Sequence, residues 1–278
     1  MVIFNGANSG VSTVFMLESA LDKWKELGLT TRPRLLATFT AGKNHQTGLL
    51  DILGVKTVIK VFRHSLERSL FAQQQAAQFS LAPKILGHYK NIVLMDFIEG
   101  GLPVLEQTAI ALSSLHSNLT ADTYALDLPK LLEQYLQRAD ETLKNQHQSL
   151  VPLLEEFFDD STPWCFCHND LVNENCVSNA EQACFLDWEY AAQHNPWFDL
   201  AAIVLYRGFN RKQAKAFLQA YADWQHKVDD RIFLTSQITV LWADLLWHVY
   251  TYGLDYRLKN SSRFDQLNGL VDKLKTTR

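Results

Sequence analysis

The sequence lacks the features that direct a chain to a membrane or into the secretory route. Its first fifteen residues, MVIFNGANSGVSTVF, contain no basic segment followed by a long apolar one, so we expect no signal peptide. It also lacks an apolar run of about 18 residues, the length that would predict a membrane span. With 47% hydrophobic and 20% charged residues, the composition is that of a globular protein, which we expect in the cytoplasm as one large domain or two lobes.

An excess of basic residues is missing as well. The 26 Lys and Arg residues are set against 30 Asp and Glu residues, which gives a net charge of −4 at pH 7. This balance argues against nucleic acid as a partner. It is compatible with a small cationic ligand, and it leaves the oligomeric state open.

Cysteines are few, and all of them fall between residues 165 and 184. Cys165 and Cys167 are two residues apart, which is the spacing of side chains on one face of a strand, and no Cys-x-x-Cys pair is present. Disulfides are not expected in a reducing cytoplasm. We interpret the cysteines as buried thiols on strands, and a zinc-bound scaffold that uses all four is the alternative.

Hydrophobic periodicity predicts an α+β protein with a small sheet-containing part at residues 1–98 and a mainly helical part at 99–278. EGGLP at 99–103 is the predicted hinge between them. The elements predicted in the first part are a helix at 14–27, strands at 34–40, 48–53 and 56–62 with a hairpin turn at Gly54-Val55, a helix from 65, and the strands KILGHY and NIVLMDFI. Those predicted in the second part are helices at 104–116 and 128–158, a strand–turn–strand unit at 164–187, and helices from 196 onward.

The segment CHNDLVNENC, at 167–176, is unusually rich in polar side chains. If the chain after Asn175 forms a hairpin that turns at SNAEQ, Asp187 at its end returns close to Asn175 at its beginning, and Asp170 precedes Asn175 by five residues. Carboxylate and amide oxygens suit Mg²⁺, and phosphoryl transfer needs a metal ion together with a carboxylate that orients and deprotonates a hydroxyl. For each residue alone, an Asx turn is the structural alternative.

Two motifs carry a resemblance to a known family. H-x-D-x-x-x-x-N ends at Asn175, and D-W-E-Y follows at 187–190. Together they resemble the aminoglycoside phosphotransferase and choline kinase family, whose members are small-molecule relatives of protein kinases. NPWFDLA at 195–201, LSSLHS at 112–117, and the segments LAPKIL and LMDFIEG are similar to further parts of that family.

The resemblance implies a two-lobed, protein-kinase-like fold with a small antiparallel sheet lobe and a mainly helical lobe. It implies ATP and Mg²⁺ as cofactors, with Asp170 as the catalytic base and with Asn175 and Asp187 as the metal ligands. His168 and Asp199 are expected to support the loop rather than to touch substrate.

The sequence shows the expected nucleotide-binding residues less clearly than the expected catalytic loop. Alternation in TVIKVF places Lys60 on a buried face, where a triphosphate could neutralise it, and a lysine at a strand edge that reaches water is the alternative. Its partner could be Glu67 or one of the glutamines at 73–75. TAGKNHQTG has no G-x-G-x-x-G motif but could bind phosphates through its backbone N–H groups. The remaining residues expected to contact the nucleotide are Asn44, Gln46, Met95, Asp96 and Ile98.

Acidic and aromatic residues in the later part suggest the acceptor. Trp faces attract cations by about 0.5–2 kcal/mol, which favours choline, ethanolamine or thiamine over an aminoglycoside or a sugar. The candidate substrate residues are Trp188, Glu189, Trp242, Asp244 and Trp247. Helical spacing makes core packing the alternative for the late aromatic residues. A catalytically silent, kinase-like nucleotide-binding protein is the alternative function.

Overall fold

The computed structural model describes residues 17–39, 45–63, 66–119, 124–178, 182–221, 229–255 and 261–276. Contacts within the chain divide it into two compact units. The first unit contains Met1–Ala111 and Glu174–Glu189, and the second contains Leu112–Asn173 and Tyr190–Arg278. The contacts separate the units after Ala111, whereas the lobe boundary was predicted between residues 98 and 99. That lobe boundary stays a prediction.

The first unit contains an antiparallel sheet, as predicted, and its five strands have the order β1-β2-β3-β5-β4. Its strands are β1 (Arg34–Phe39), β2 (His45–Ile52), β3 (Val55–Phe62), β4 (Ile85–Tyr89) and β5 (Ile92–Asp96). The β2–β3 turn is centred on Leu53 and Gly54, one residue earlier than predicted, because Ile52 pairs with Val55. Both turn residues have positive φ, at 54° and 87°, which is the backbone of a two-residue hairpin turn.

Helical residues pack on this sheet. Helix α1 (Glu67–Gln78) follows β3. Of the helix predicted at 14–27, residues 17–21 are helical and 22–28 form turns, while 14–16 lie outside the described residues. Leu17 and Leu21 are buried in one cluster with Ile59 and Leu94 of the sheet. The apolar spacing of the early segment therefore reflects one buried face.

The hairpin predicted within the unit at 164–187 is confirmed, but the first apolar run of that unit belongs to a different sheet. Strand β6 (Cys165–Cys167) pairs with β9 (Ala192–His194), which was not predicted. Strands β7 (Cys176–Ser178) and β8 (Ala183–Phe185) form a separate hairpin in the first unit. The first apolar run thus finds its partner beyond the hairpin rather than within it.

The later part of the chain is mainly helical, which confirms the α+β class. Its helices are α2 (Leu105–Asn118), α3 (Leu128–Leu136), α4 (Glu141–Phe158), α5 (Trp197–Tyr206), α6 (Arg211–Ala220), α7 (Asp230–Tyr252) and α8 (Ser261–Thr276). The helix predicted at 128–158 is two helices, because Asp140 caps α4 by accepting a hydrogen bond from the Leu143 N–H at 2.8 Å.

Helix α7 forms the centre of the second unit and packs against α3, α4, α5 and α8. It has the length and hydropathy of a membrane-spanning helix, but 83% of its most apolar window is buried inside the protein. That degree of burial is typical of the core helix of a globular unit.

Candidate active site

A partly buried ion pair joins two of the predicted site residues in the first unit. Lys60 lies on β3 with only 8% of its surface exposed, and its Nζ is 2.7 Å from Oδ1 of Asp187. The same ammonium group lies 4.8 Å from the centre of the Phe62 ring. The lysine therefore does not reach water from a strand edge, and the predicted need for a counter-charge is met by Asp187.

The hairpin β7–β8 brings the two predicted metal ligands together in the chain fold. Cys176 pairs with Phe185, and the Leu186 N–H donates to the carbonyl oxygen of Asn175 at 2.8 Å. Asp187 follows with φ of 64°, a backbone conformation in which few non-glycine residues lie. Asn175 and Asp187 thus adjoin the open end of one hairpin. Their amide and carboxylate oxygens are donors that fit Mg²⁺.

A histidine that the sequence analysis missed lies beside this pair. His45 Nε2 is 2.7 Å from Oε2 of Glu189, and the His45 ring packs on Phe62 with ring centres 4.5 Å apart. One ligand atom from each of His45, Asp187 and Glu189 falls within 4.8 Å of the others. No local pattern could have shown this contact, because His45 and Glu189 are far apart in the sequence.

Within the described part of the chain, the other residues predicted to bind the nucleotide have no contacts that identify their role. Asn44 lies outside the described residues, Gln46 is buried in β2, and Asp96 is the last residue of β5. Met95 is buried and accepts a weak hydrogen bond from the Gln73 amide at 3.5 Å. Ile98, just after β5, is half-buried. The contacts of these residues with a nucleotide stay predictions.

The partner predicted for Lys60 needs correction. Glu67 is exposed at the first position of α1, and the Gln73 amide donates to the carbonyl oxygen of Pro83 at 2.9 Å. Lys60 instead pairs with Asp187, which was expected as a metal ligand only. Periodicity located the lysine but could not identify a partner that lies so much later in the chain.

Asp199 anchors the predicted catalytic loop of the second unit. Its side chain is fully buried, and it accepts hydrogen bonds from the backbone N–H groups of His168 at 2.7 Å and Asn169 at 2.8 Å. His116 Nε2 lies 3.1 Å from the same carboxylate. Burial opposes ionisation of Asp199, but the hydrogen bond and charge of His116 hold its pKa below the ordinary value. Hydrogen bonds from the loop backbone to a buried carboxylate are what we expect if Asp199 and His168 support the loop rather than touch substrate.

His194, also missed in the sequence, fixes the loop from another side. Its Nδ1 lies 2.9 Å from Oδ1 of Asn169. The Asn169 amide nitrogen donates to the carbonyl oxygen of Tyr190 at 3.0 Å, so Oδ1 is the acceptor and His194 carries its proton on Nδ1. Burial lowers the pKa of His194 to about 4, which keeps the ring neutral at pH 7. Asn169 itself has φ of 64°.

Asp170, the predicted base, is half-buried at the end of this loop. Its backbone N–H donates to Nδ1 of His168 at 3.3 Å. The charge of Asp170 acts on His248 of α7, although burial has the larger effect and lowers the pKa of His248 to about 4. His248 Nδ1 donates to the carbonyl oxygen of Asp244 at 2.8 Å. A carboxylate and a neutral imidazole therefore lie near each other in the second unit.

The family model described as "Phosphotransferase enzyme family" matches residues 69–230, more than half of the chain. The chain belongs to this family. Among curated proteins it is similar to a LicA homologue of Mycoplasma capricolum, with 26% identity over 197 residues that cover 67% of this chain and 77% of the relative. It is also similar to LicA of Haemophilus influenzae, with 23% identity over 273 residues that cover 84% of this chain and 79% of the relative.

Solved structures share the fold of this phosphotransferase. A choline/ethanolamine kinase family protein from Mesorhizobium loti superposes with a TM-score of 0.75 at 16% identity, covering 94% of this chain and 97% of that one. The choline kinase LicA from Streptococcus pneumoniae gives a TM-score of 0.72 at 18% identity, covering 93% and 99%. The predicted kinase-like fold is confirmed, and the protein is a small-molecule kinase.

Two of the tryptophans predicted to bind the acceptor are core residues of the phosphotransferase. Trp188 is 1% exposed, and its Nε1 donates to the carbonyl oxygen of Phe185 at 3.0 Å. Trp242 is fully buried, and its Nε1 donates to Nδ1 of His147 at 3.0 Å. The burial of Trp242 favours the packing alternative that helical spacing gave for it, and Trp188, for which no such alternative was given, lies in the core as well. Helical periodicity could not separate these two roles.

The other candidates on α7 keep some access to solvent. Trp247 is half-buried, and the edge of its ring meets His248 with ring centres 4.8 Å apart. Asp244 forms an ion pair with Arg263, so its charge is already balanced. The roles of Trp247 and Asp244 in acceptor binding stay predictions.

The cysteines do not form the four-cysteine zinc scaffold that was considered. All are free thiols, and all but Cys165 are buried. Cys176 and Cys184 belong to the first unit, and among the described residues the group with cysteines that could hold a metal contains only Cys165 and Cys167, together with His116. The interpretation of buried strand thiols holds for Cys167, Cys176 and Cys184.

Proposed function

We propose that this phosphotransferase transfers the γ-phosphoryl group of ATP to the hydroxyl group of a small cationic alcohol, with choline as the first candidate. The observation that carries the proposal is the ion pair of buried Lys60 with half-buried Asp187, at 2.7 Å, beside the hairpin end that also holds Asn175. A buried lysine and clustered oxygen donors are the parts that phosphoryl transfer requires, because catalysis consists mainly of positioning and of charge neutralisation.

In the first unit we assign the Lys60 ammonium to the phosphate oxygens of ATP. Asn175 and Asp187 would hold Mg²⁺, which neutralises phosphate charge when bound. LicA, a structural neighbour with a TM-score of 0.71 and 19% identity, has been solved in complex with AMP, which supports a nucleotide site in this chain. Asn44, Gln46 and the segment from Met95 to Ile98 complete the proposed nucleotide contacts.

In the second unit we assign Asp170 as the base that accepts the proton of the acceptor hydroxyl. As that proton leaves, the hydroxyl oxygen forms a bond to the γ-phosphorus, and the bond from phosphorus to the bridging oxygen of ADP breaks. Asp199, with the backbone N–H groups of His168 and Asn169, holds the loop that carries Asp170. A fixed loop matters because the base must be within hydrogen-bond reach of the hydroxyl.

The cationic acceptor is supported by the aromatic ring of Trp247. The Trp247 ring contacts the ring of His248, and the charge of Asp170 acts on His248, so we expect an aromatic surface in the neighbourhood of the proposed base. Such a surface attracts a quaternary ammonium by about 0.5–2 kcal/mol. Glu189 stays a prediction for the acceptor, since its carboxylate is bound to His45.

Relatives support choline as the first acceptor to test. The similar proteins named above are LicA and a LicA homologue, and one structural neighbour is named choline kinase LicA. A spectinomycin phosphotransferase is a more distant neighbour, with a TM-score of 0.59, which keeps aminoglycosides on the panel. We place the reaction in the cytoplasm, where ATP is available.

The test is an ADP-release assay with Mg-ATP and choline, ethanolamine, thiamine and spectinomycin. Asp170→Asn should reduce kcat by about 10²–10⁴-fold, the usual contribution of a general base, while thermal shift shows that it still binds Mg-ATP. Asp159→Asn, the same change at an exposed position, serves as the matched control. Nucleotide binding without turnover of any acceptor would instead favour a catalytically silent protein.

A further inference from the structure

Two thiols lie side by side on the strand that leads into the proposed catalytic loop. Cys165 Sγ and Cys167 Sγ of β6 are 3.7 Å apart and share a hydrogen bond. His168, Asn169 and Asp170 follow directly in the sequence. The proposed phosphoryl transfer uses neither sulfur atom, so the pair is available for other chemistry.

The two thiols differ in access and in acidity. Cys165 keeps partial exposure, whereas Cys167 is fully buried. The hydrogen bond from Cys167, together with the charge of His116, lowers the pKa of Cys165 despite its burial. Burial raises the pKa of Cys167 well above the ordinary value. Because the thiolate is the reactive form, the accessible sulfur is the nucleophile and the buried one is the protonated partner.

We propose that Cys165 and Cys167 form a reversible oxidation site at which a peroxide links the two sulfur atoms and thereby inactivates the enzyme. The inactivation rests on the proposed function, whereas the oxidation does not.

The chemistry proceeds in two balanced steps. The Cys165 thiolate attacks one peroxide oxygen, the O–O bond breaks, and hydroxide leaves, which gives a sulfenic acid at Cys165. The Cys167 sulfur then attacks the Cys165 sulfur, and the departing hydroxyl group takes the Cys167 proton and leaves as water. The two sulfur atoms together lose two electrons to hydrogen peroxide, and a dithiol reductant returns them.

Strand geometry couples this bond to the loop. Same-face neighbours in a strand are about 6.6 Å apart between Cα atoms, whereas disulfides most often join Cα atoms about 5.5–6 Å apart. The bond therefore shortens β6, which is held at both ends by its pairing with β9, Cys165 with His194 and Cys167 with Ala192. The residue after Cys167 donates its backbone N–H to Asp199. Shortening of the strand pulls on that hydrogen bond and shifts the loop.

The first test measures mass and does not depend on an acceptor. Hydrogen peroxide is added to the wild type, to Cys165→Ser, to Cys167→Ser and to the control Cys184→Ser. A chelator is present, because His116, Cys165 and Cys167 together could hold a thiophilic metal ion. Wild type and Cys184→Ser should each lose two hydrogen atoms in the intact mass and regain them with dithiothreitol. Cys165→Ser and Cys167→Ser should not, and Cys167→Ser should accumulate a sulfenic acid that dimedone traps.

The second test measures the consequence. Hydrogen exchange at the backbone amides of His168 and Asn169 should accelerate on oxidation, and turnover should fall by about 100-fold, the effect of a misplacement of about 1 Å. An unchanged mass of the wild type, or an equal loss of hydrogen in Cys165→Ser, would overturn the site. Oxidation that leaves both the exchange and the turnover as before would overturn the coupling. Absence of turnover already in the reduced protein would count against the proposed function alone.

Discussion

Replacement of Asp199 by asparagine tests the anchoring of the loop most directly. The carboxylate is fully buried and receives three hydrogen bonds, from the backbone N–H groups of His168 and Asn169 and from Nε2 of His116. Asparagine has the same shape, but one oxygen becomes an NH₂ group. That group faces a donor, so at least one buried N–H loses its acceptor and the charge opposite His116 disappears.

The expected loss of stability follows from these contacts. A hydrogen bond to a charged group contributes about 1.5–3 kcal/mol, and a buried donor without a partner costs about 1–3 kcal/mol. Removal of one partner of a buried ion pair typically costs about 3–5 kcal/mol in total. Since proteins have about 5–15 kcal/mol of unfolding free energy, Asp199→Asn should be folded but clearly weakened.

Urea denaturation at pH 7 measures this change, and Asp140→Asn is the matched control. Asp140 caps α4 through its side chain, a role in which asparagine performs about as well, so the control should stay within about 0.5 kcal/mol of wild type. If Asp199→Asn also stays within that range, the carboxylate is not a charged anchor. Turnover should fall together with stability, because the loop that carries Asp170 loses its support.

Further changes test the surrounding groups. Burial keeps His194 neutral until about pH 4, whereas the unfolded chain protonates it near its ordinary pKa of 6.5, so this residue should lower the unfolding free energy by up to about 3 kcal/mol as pH drops across that window. His248 contributes to the same slope, because burial lowers its pKa to about 4 as well, so His194→Gln should reduce the slope in urea titrations by the share of His194. Burial alone would lower the pKa of His116, but the electrostatic effects of Cys165 and Asp199 and the hydrogen bond to Asp199 raise it. The stabilising pair of His116 with Asp199 is therefore complete below pH 6.5 and is lost as pH rises through the folded pKa, and His116→Gln should abolish that loss. Lys60→Met should reduce kcat/KM for ATP by about 100-fold or more, the effect of removing one stabilising donor, and an unchanged value would contradict the phosphate role. Trp247→Leu should raise KM for choline by about 2- to 30-fold, equivalent to about 0.5–2 kcal/mol, with no effect on KM for ATP.

The sheet of the first unit could be predicted because its strands alternate or are continuously apolar between clear turn signals. The segment TVIKVF even showed that Lys60 faces inward. Its partner could not be predicted, because Asp187 reaches it only through tertiary folding. The prediction looked for that partner in the next helix, where the nearby Glu67 is in fact exposed.

Strand β9 gave too little pattern to predict, although the equally short β6, β7 and β8 lie in segments that were predicted as strands. Strand β9 consists of Ala192–His194 alone, so the partner of β6 was sought in the hairpin that precedes it. The break between α3 and α4 was missed because apolar spacing continues across it, although Asp140 is a recognisable capping residue. Motif spacing located Asp170, Asn175 and Asp187, but the supporting histidines 45, 116 and 194 act through contacts that no spacing encodes.

The left-handed backbone at Asn169, with φ of 64°, limits which amino acids a variant library can place there. Glycine, aspartate and asparagine adopt this conformation at modest cost, whereas valine, isoleucine and threonine are strongly disfavoured. The backbone conformation therefore restricts the residue at position 169, between His168 and Asp170, independently of any requirement of catalysis. Selection for folding alone, without selection for turnover, should already enrich asparagine at position 169, because of these three residues only asparagine keeps both the bond from His194 and the bond to the carbonyl oxygen of Tyr190.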